Sequence, residues 1–156
     1  FGSTEAGEQA RLVLAELLLE QDQAPQAADA LGTLPADLDD PLGIPAARLQ
    51  AAAFEATGES DRAVDLYLRI ADAARFEFQA REALADAARV RLQNGNAEAA
   101  ADLYQRIVDT FEANEQGRGY YEMWLAEARA QSAEGADAGP VTPDTAAAAA
   151  AETPGG

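Results

Sequence analysis

The chain contains no cysteine, no histidine and no lysine among its 156 residues. Without cysteine or histidine it has no disulfide, no thiolate or imidazole ligand for zinc, and neither a Ser-His-Asp nor a Cys-His nucleophile. Without lysine it forms no Schiff base and offers no phosphate-loop lysine. Its serines, Ser3, Ser60 and Ser132, lie outside any nucleophile-elbow pattern. These absences predict a protein that is not an enzyme, with no catalytic residue, no cofactor and no metal site.

Positive charge is also scarce. Eleven arginines face 28 aspartates and glutamates, which gives a net charge of −17 at pH 7. Such a surface repels phosphate backbones and anionic lipids, so we predict no nucleic-acid partner. No apolar run approaches the ~20 residues that a membrane-spanning helix needs, and we expect no direct membrane insertion within this segment.

The composition divides the chain into two parts. Residues 135–156 contain one large apolar side chain, Val141, together with proline, glycine and six consecutive alanines. This segment has too little apolar surface to offset the entropy lost on ordering. We therefore expect a helical domain at residues 1–134, followed by a flexible Ala/Pro/Gly-rich tail at 135–156.

The first part has a helical period throughout and no alternating strand pattern. Gly58 and Gly95 are suited to left-handed helix ends, Ser60 or Asn96 to N-caps, and two prolines to the first turn of a helix. Those prolines are Pro25 and Pro45. The pattern predicts an all-α domain with helices near residues 4–22, 25–34, 45–57, 60–74, 77–94, 97–113 and 119–134.

Two segments are copies of each other. Residues 58–72 align without gaps on residues 95–109, with 8 identities in 15 positions at a period of 37. A fainter copy begins at Gln26. A period in this range is typical of helical-repeat solenoids.

The repeat resembles the tetratricopeptide repeat (TPR) family. In that family a small residue lies midway along helix A, a glycine ends helix A, and an alanine opens helix B four residues before an aromatic. The matching residues are Ala15, Ala51 and Ala88, then Gly58 and Gly95, then Ala27, Ala63 and Ala100, followed by Leu31, Tyr67 and Tyr104. The closing proline and the early tryptophan of the family pattern are missing.

The resemblance implies a TPR-like α-solenoid of antiparallel helix pairs, with about three repeats and a capping helix. It implies a non-enzymatic scaffold that binds a protein or peptide. The alternative is a permanently assembled accessory subunit of a larger complex. The alanine-rich sequence and the last helix are similar to those of bacterial cell-envelope members of the family, such as the ancillary subunit of the Sec translocon and the Tol-Pal coordinator protein. We therefore expect the cell envelope or periplasm, with the cytoplasm as the alternative.

Aligning helix A on the family also implies a partner-binding groove. Its residues are Leu12, Glu16, Leu19, Arg48, Glu55, Glu82, Arg89 and Leu92. We expect the leucines to offer apolar contact, and Arg48 and Arg89 to anchor acidic or carbonyl groups. In the alternative, the two arginines neutralise the glutamates as solvated pairs. Of the five positions of the family's clamp for C-terminal carboxylates only Arg89 matches, so that clamp is not expected.

The last helix carries the most aromatic segment, Tyr120, Tyr121 and Trp124. One interpretation is a helix that covers the end of the solenoid, with Trp124 in the core. The other is an exposed aromatic anchor for a partner.

Helix 1 is apolar nearly all round, at Leu12, Val13, Leu14, Ala15, Leu17, Leu18 and Leu19. This predicts burial on more than one side, through a homo-oligomer, an upstream helix or a hydrophobic binding groove.

A loop with three acids, Asp37, Asp39 and Asp40, suggests calcium by composition. It lacks the regular spacing of a calcium-binding loop and the distal bidentate glutamate. We therefore expect these carboxylates to be solvated rather than bound to calcium.

Overall fold

The computed structural model describes residues 4–32 and 37–137. Within these ranges the regular secondary structure is entirely α-helical, with seven helices and no strand, which confirms the all-α class. The helices are α1 (Glu5–Glu20), α2 (Ala24–Leu31), α3 (Gly43–Ala56), α4 (Ser60–Ala73), α5 (Glu77–Gln93), α6 (Ala97–Asp109) and α7 (Arg118–Asp137). None of these helices is long and apolar enough to cross a membrane.

Most helix ends lie within two residues of the prediction, and the ends of α6 and α7 are among the exceptions. Helix α6 ends at Asp109 rather than at residue 113, because the chain turns at Thr110, whose hydroxyl donates to the carbonyl of Ile107 at 2.7 Å. Helix α7 continues to Asp137, three residues past the expected end at 134. Gly135 costs about 1 kcal/mol in a helix interior and does not stop this helix. Residues 138–156 of the predicted tail, and 33–34 of the second predicted helix, lie outside the described residues.

The predicted helix punctuation is confirmed at most positions. Gly58 and Gly95 have φ of +80° and +74°, the left-handed conformation that glycine adopts without a steric penalty. Asn96 caps α6 by accepting a hydrogen bond from the N–H of Ala99 at 3.2 Å. Ser60, in contrast, is the first residue of α4 rather than its cap, and its hydroxyl donates to Asn94 Oδ1 at 3.1 Å.

Consecutive helices pack against each other along the chain, and α1 also contacts α3. Fully buried alanines, among them Ala51 and Ala88, allow the helices to approach closely. One large apolar core joins α3 to α7, and its largest fully buried side chains include Ile70 and Ile107. Helices α1 and α2 share a separate small core made of Ala15, Ala27 and Leu31.

Arg81 is the single buried charged residue in the described ranges. Its Nε donates to Thr110 Oγ1 at 2.7 Å, and its Nη2 donates to the carbonyl of Thr110 at 2.9 Å. The guanidinium lies 3.6 Å from the centre of the Phe111 ring and pairs with Glu77 and Glu115, each at 3.0 Å. Arg81 thus ties the beginning of α5 to the turn between α6 and α7.

Candidate partner-binding face

Charged side chains of α3 and α5 form a network across the two helices. Arg48 donates to Glu82 Oε2 at 3.0 Å and to Asp86 Oδ2 at 2.8 Å. Arg89 donates from both terminal nitrogens to the two oxygens of Glu55, at 2.7 and 2.9 Å. These bonds join residues 34 or 38 positions apart, so they connect one sequence repeat to the next.

Glu55 is the best-buried acid of this network, with 19% of its side chain exposed. It also accepts a hydrogen bond from the hydroxyl of Tyr67 at 2.8 Å. Burial and this hydrogen bond raise the pKa of Tyr67, and the bidentate contact with Glu55 raises the pKa of Arg89. Tyr67 therefore stays neutral and Arg89 stays charged over the physiological pH range.

The two arginines that were expected to anchor a partner are held by carboxylates of their own chain. The ion pairs Arg48–Glu82 and Arg89–Glu55 are those of the alternative interpretation of the groove. The network contains three carboxylates, Glu55, Glu82 and Asp86, and two guanidinium groups. Asp86 lies close to both arginines. The network therefore carries one net negative charge.

Beside this network lies a cleft of about 590 Å³ between α5, α6 and α7, which we call the aromatic cleft. Its lining brings together two predicted groove residues, Arg89 and Leu92, with all three predicted aromatic anchors. The lining residues are Ala85, Asp86, Arg89, Leu92, Gln93, Tyr104, Tyr120, Tyr121, Trp124 and Gln131.

The aromatic rings of the cleft are in mutual contact. Trp124 stacks on Tyr104 with ring centres 6.3 Å apart and planes 19° apart. Tyr120 stands edge-on to Trp124, at 6.3 Å and 72°, and edge-on to Tyr121, at 5.2 Å and 81°. Trp124 and Tyr121 are half-buried, whereas 58% of Tyr120 is exposed. The segment thus combines features of both interpretations, since Trp124 packs on α6 and Tyr120 stays open to solvent.

Two aromatic residues of the cleft correspond to alanines of the preceding repeat. Tyr120 and Trp124 lie one period of 37 residues after Ala83 and Ala87, both of which are fully buried on α5. An alanine permits close approach of neighbouring helices, whereas an aromatic ring holds them apart. The cleft lies where the repeat changes from small to aromatic side chains. Burial raises the pKa of Tyr104 and Tyr121, which keeps both phenols neutral.

The groove residues on α1 are placed elsewhere. Leu12 and Leu19 are half-buried against the small core of α1 and α2, and Glu16 is exposed. They join neither the α3–α5 network nor the lining of the aromatic cleft. The predicted burial of α1 on more than one side is absent within the described residues. Its outer side exposes three large side chains by about half, because no described helix packs there: Val13 (55%), Leu14 (49%) and Leu17 (47%).

In the acidic loop before α3, two carboxylates accept hydrogen bonds from backbone N–H groups of the same loop. Asp37 Oδ1 accepts from the N–H of Asp39 at 3.0 Å, and Asp40 Oδ1 accepts from the N–H of Leu42 at 2.8 Å. A Cβ at Gly43 would lie 2.0 Å from the carbonyl oxygen of Asp37, so this turn requires glycine. Across residues 4–32 and 37–137 no group of three or more acidic side chains is arranged to hold a metal ion.

Sequence reasoning missed two contributors to this face. Asp86 bridges both arginines, and its position one helical turn from Glu82 and from Arg89 was a usable signal. The second is an exposed pair, Phe76 and Phe78, whose rings stack at 5.8 Å. Phe76 borders a further depression that is also lined by Arg48. The ionic network therefore lies between two partly apolar hollows.

The chain shows no match to a protein-family model, to a curated protein or to a solved structure. The candidate function consequently rests on the geometry of this face.

Proposed function

We propose that this chain is a non-enzymatic scaffold that binds a protein or peptide segment on the face formed by α3, α5 and α7. In this proposal the helices form a TPR-like solenoid, with the odd-numbered helices as the first helix of each repeat. The fully buried Ala51 and Ala88 and the left-handed Gly58 and Gly95 support it, because they lie where that repeat needs small residues and a helix end.

The observation that carries the proposal is the aromatic cleft. Interfaces depend on a few large aromatic residues in concave, partly desolvated sites. Tyr120 provides an accessible ring at this cleft, and Trp124 provides a half-buried one. The ionised side chains of the lining, Asp86 and Arg89, take part in intramolecular ion pairs. Such paired charges suit recognition, because they give a site orientation and specificity towards a partner.

The proposal is tested by probing an array of random-sequence peptides with the purified chain and two variants. Tyr120→Ala removes the accessible ring of the cleft. Met123→Ala is the matched control, because Met123 lies on the same helix, is equally exposed at 58% and does not line the cleft. We expect the chain to select a set of peptides that Tyr120→Ala loses and Met123→Ala retains. If no peptide depends on Tyr120, binding at this cleft is refuted.

A second candidate, the permanently assembled subunit, is favoured by the exposed apolar side of α1. A surface of Val13, Leu14 and Leu17 is costly to leave in water and is typical of a lasting interface. Light scattering on native extract separates the two functions. A chain found only in a large assembly, with none free, supports the subunit, whereas a mostly free chain supports the scaffold.

A further inference from the structure

We infer that the aromatic cleft recognises a basic segment of its partner, with an arginine or lysine side chain against Tyr120 and Trp124 and its charge beside Asp86. This inference rests on the proposed function and names the chemistry of the partner.

The rings supply the first part of the recognition. The faces of tyrosine and tryptophan carry negative potential and attract guanidinium or ammonium groups within about 6 Å. Tyr120 and Trp124 both line the cleft and their planes meet at 72°, so the two rings form an angle rather than a closed stack. Because more than half of Tyr120 is exposed, an incoming side chain reaches its ring without any rearrangement of the helices.

Asp86 supplies the second part. Its Oδ2 is engaged by Arg48 at 2.8 Å, but its Oδ1 lies 3.7 Å from Arg89, which is beyond hydrogen-bond distance. Oδ1 therefore keeps acceptor capacity for a donor that enters the cleft. The side chain is 31% exposed, so part of its surface faces the solvent.

Arg89 also lines the cleft, and its positive charge would oppose a basic partner if it were free. It is instead bound at both nitrogens to the oxygens of Glu55, at 2.7 and 2.9 Å. The three carboxylates and two guanidinium groups of the network leave an excess of one negative charge next to the cleft. Arg89 thus belongs to a compensated pair and does not make the site cationic.

The overall charge of the chain acts in the same direction. A net charge of −17 attracts basic segments and repels acidic ones. At 0.1 M salt this acts over the Debye length of about 10 Å. A neutral apolar segment would gain from the rings alone and would show little salt dependence. Charge complementarity therefore favours a basic occupant.

Trp124 is the only tryptophan of the chain, which makes its fluorescence a direct probe of the cleft. The probes are two N-acetylated octapeptides, one alternating glycine with arginine and the other alternating glycine with citrulline. Citrulline keeps the shape of arginine and lacks its charge. We expect saturable binding of the arginine peptide that weakens with salt, and at least tenfold weaker binding of the citrulline peptide.

The variants Tyr120→Ala and Asp86→Asn locate the effect. Each should weaken binding of the arginine peptide by about three- to tenfold, which corresponds to one exposed cation–π or charged contact. Met123→Ala should change it less than twofold. Circular dichroism checks that each variant keeps its helix content, and a variant that loses helix is replaced by Tyr120→Leu or Asp86→Ser.

The outcomes separate the inference from the proposed function. Equal affinity for the arginine and citrulline peptides overturns the inference, as does binding that neither Tyr120 nor Asp86 affects. If the peptide array then yields neutral or acidic peptides that depend on Tyr120, the scaffold function stands without the basic partner. If it yields none, the scaffold function at this cleft fails as well.

Discussion

Replacing Arg81 by methionine should weaken the packing of the turn between α6 and α7. Arg81→Met removes two donors to Thr110, at 2.7 and 2.9 Å, and the stacking on Phe111 at 3.6 Å. Methionine has a similar length and keeps most of the apolar contact of the side-chain stem. The change therefore isolates the guanidinium.

The magnitude follows from these contacts. The two hydrogen bonds from one charged group contribute about 2 kcal/mol together, and the contact with the Phe111 ring about 1 kcal/mol. The ion pairs with Glu77 and Glu115 add little, because water solvates both carboxylates once Arg81 is gone. Methionine also avoids the cost of burying a charge, which offsets about 1 kcal/mol of the lost stability. We expect a net loss of about 2 kcal/mol and a fall in Tm of roughly 6 °C.

Urea unfolding followed by circular dichroism at 222 nm measures this loss. The control is Arg106→Met, because Arg106 is 54% exposed and lies 3.8 Å from Asp72. It should change the free energy of unfolding by less than about 0.5 kcal/mol. If Arg81→Met is as mild as the control while the helix content is native, Arg81 does not hold the turn in the manner described.

Trp124 should emit at a shorter wavelength in the folded chain than in urea, because Tyr104 covers one of its faces; an unfolded-like emission from the native chain would contradict that stacking. Glu115→Gln should destabilise the chain at pH 7, since the N–H of Glu112 and the charge of Arg81 lower the pKa of Glu115. Because the pKa of Glu115 is lower in the folded chain than in the unfolded chain, its carboxylate stabilises the fold at pH values above the unfolded pKa of 4.5. The difference in unfolding free energy between the two chains, measured by urea titration, should therefore vanish as the pH falls below 4.5. A difference that does not depend on pH would refute this. Gly95→Ala should cost about 1 kcal/mol because φ is +74° there, whereas Gly119→Ala in α7 should not destabilise, and equal effects would remove the conformational explanation.

The helices were predictable because their signals are local. The apolar stripes of α4 and α6 repeat every three or four residues, and the glycines Gly58 and Gly95 mark helix ends by their own backbone preference. The end of α6 was not predictable, because Phe111 continues the apolar period although it lies beyond the helix. It is buried through the turn that Arg81 and Thr110 hold in place.

The candidate site was only partly predictable because it depends on contacts between helices. The sequence offered Arg48 and Arg89 as free anchors or as ion pairs, and no local rule chooses between these states. The choice depends on the packing of α5 beside α3, which brings Glu55 to Arg89. Arg81 resembles a surface arginine in the sequence, and the turn that buries it is 29 residues away. The aromatic segment was visible, but its meeting with α5 was not.

The small core of α1 and α2 has a consequence for how the chain opens. Its buried members are two alanines and one leucine, whereas the core from α3 to α7 contains isoleucine, valine, tyrosine and leucine side chains. Separating α1 and α2 from the rest exposes little apolar surface, so this pair forms the least costly cooperative unit for local unfolding. The aromatic cleft belongs to the other unit, and opening at the α1 end leaves it assembled. The helix pair that opens at the lowest cost and the face that would hold a partner therefore belong to different cooperative units.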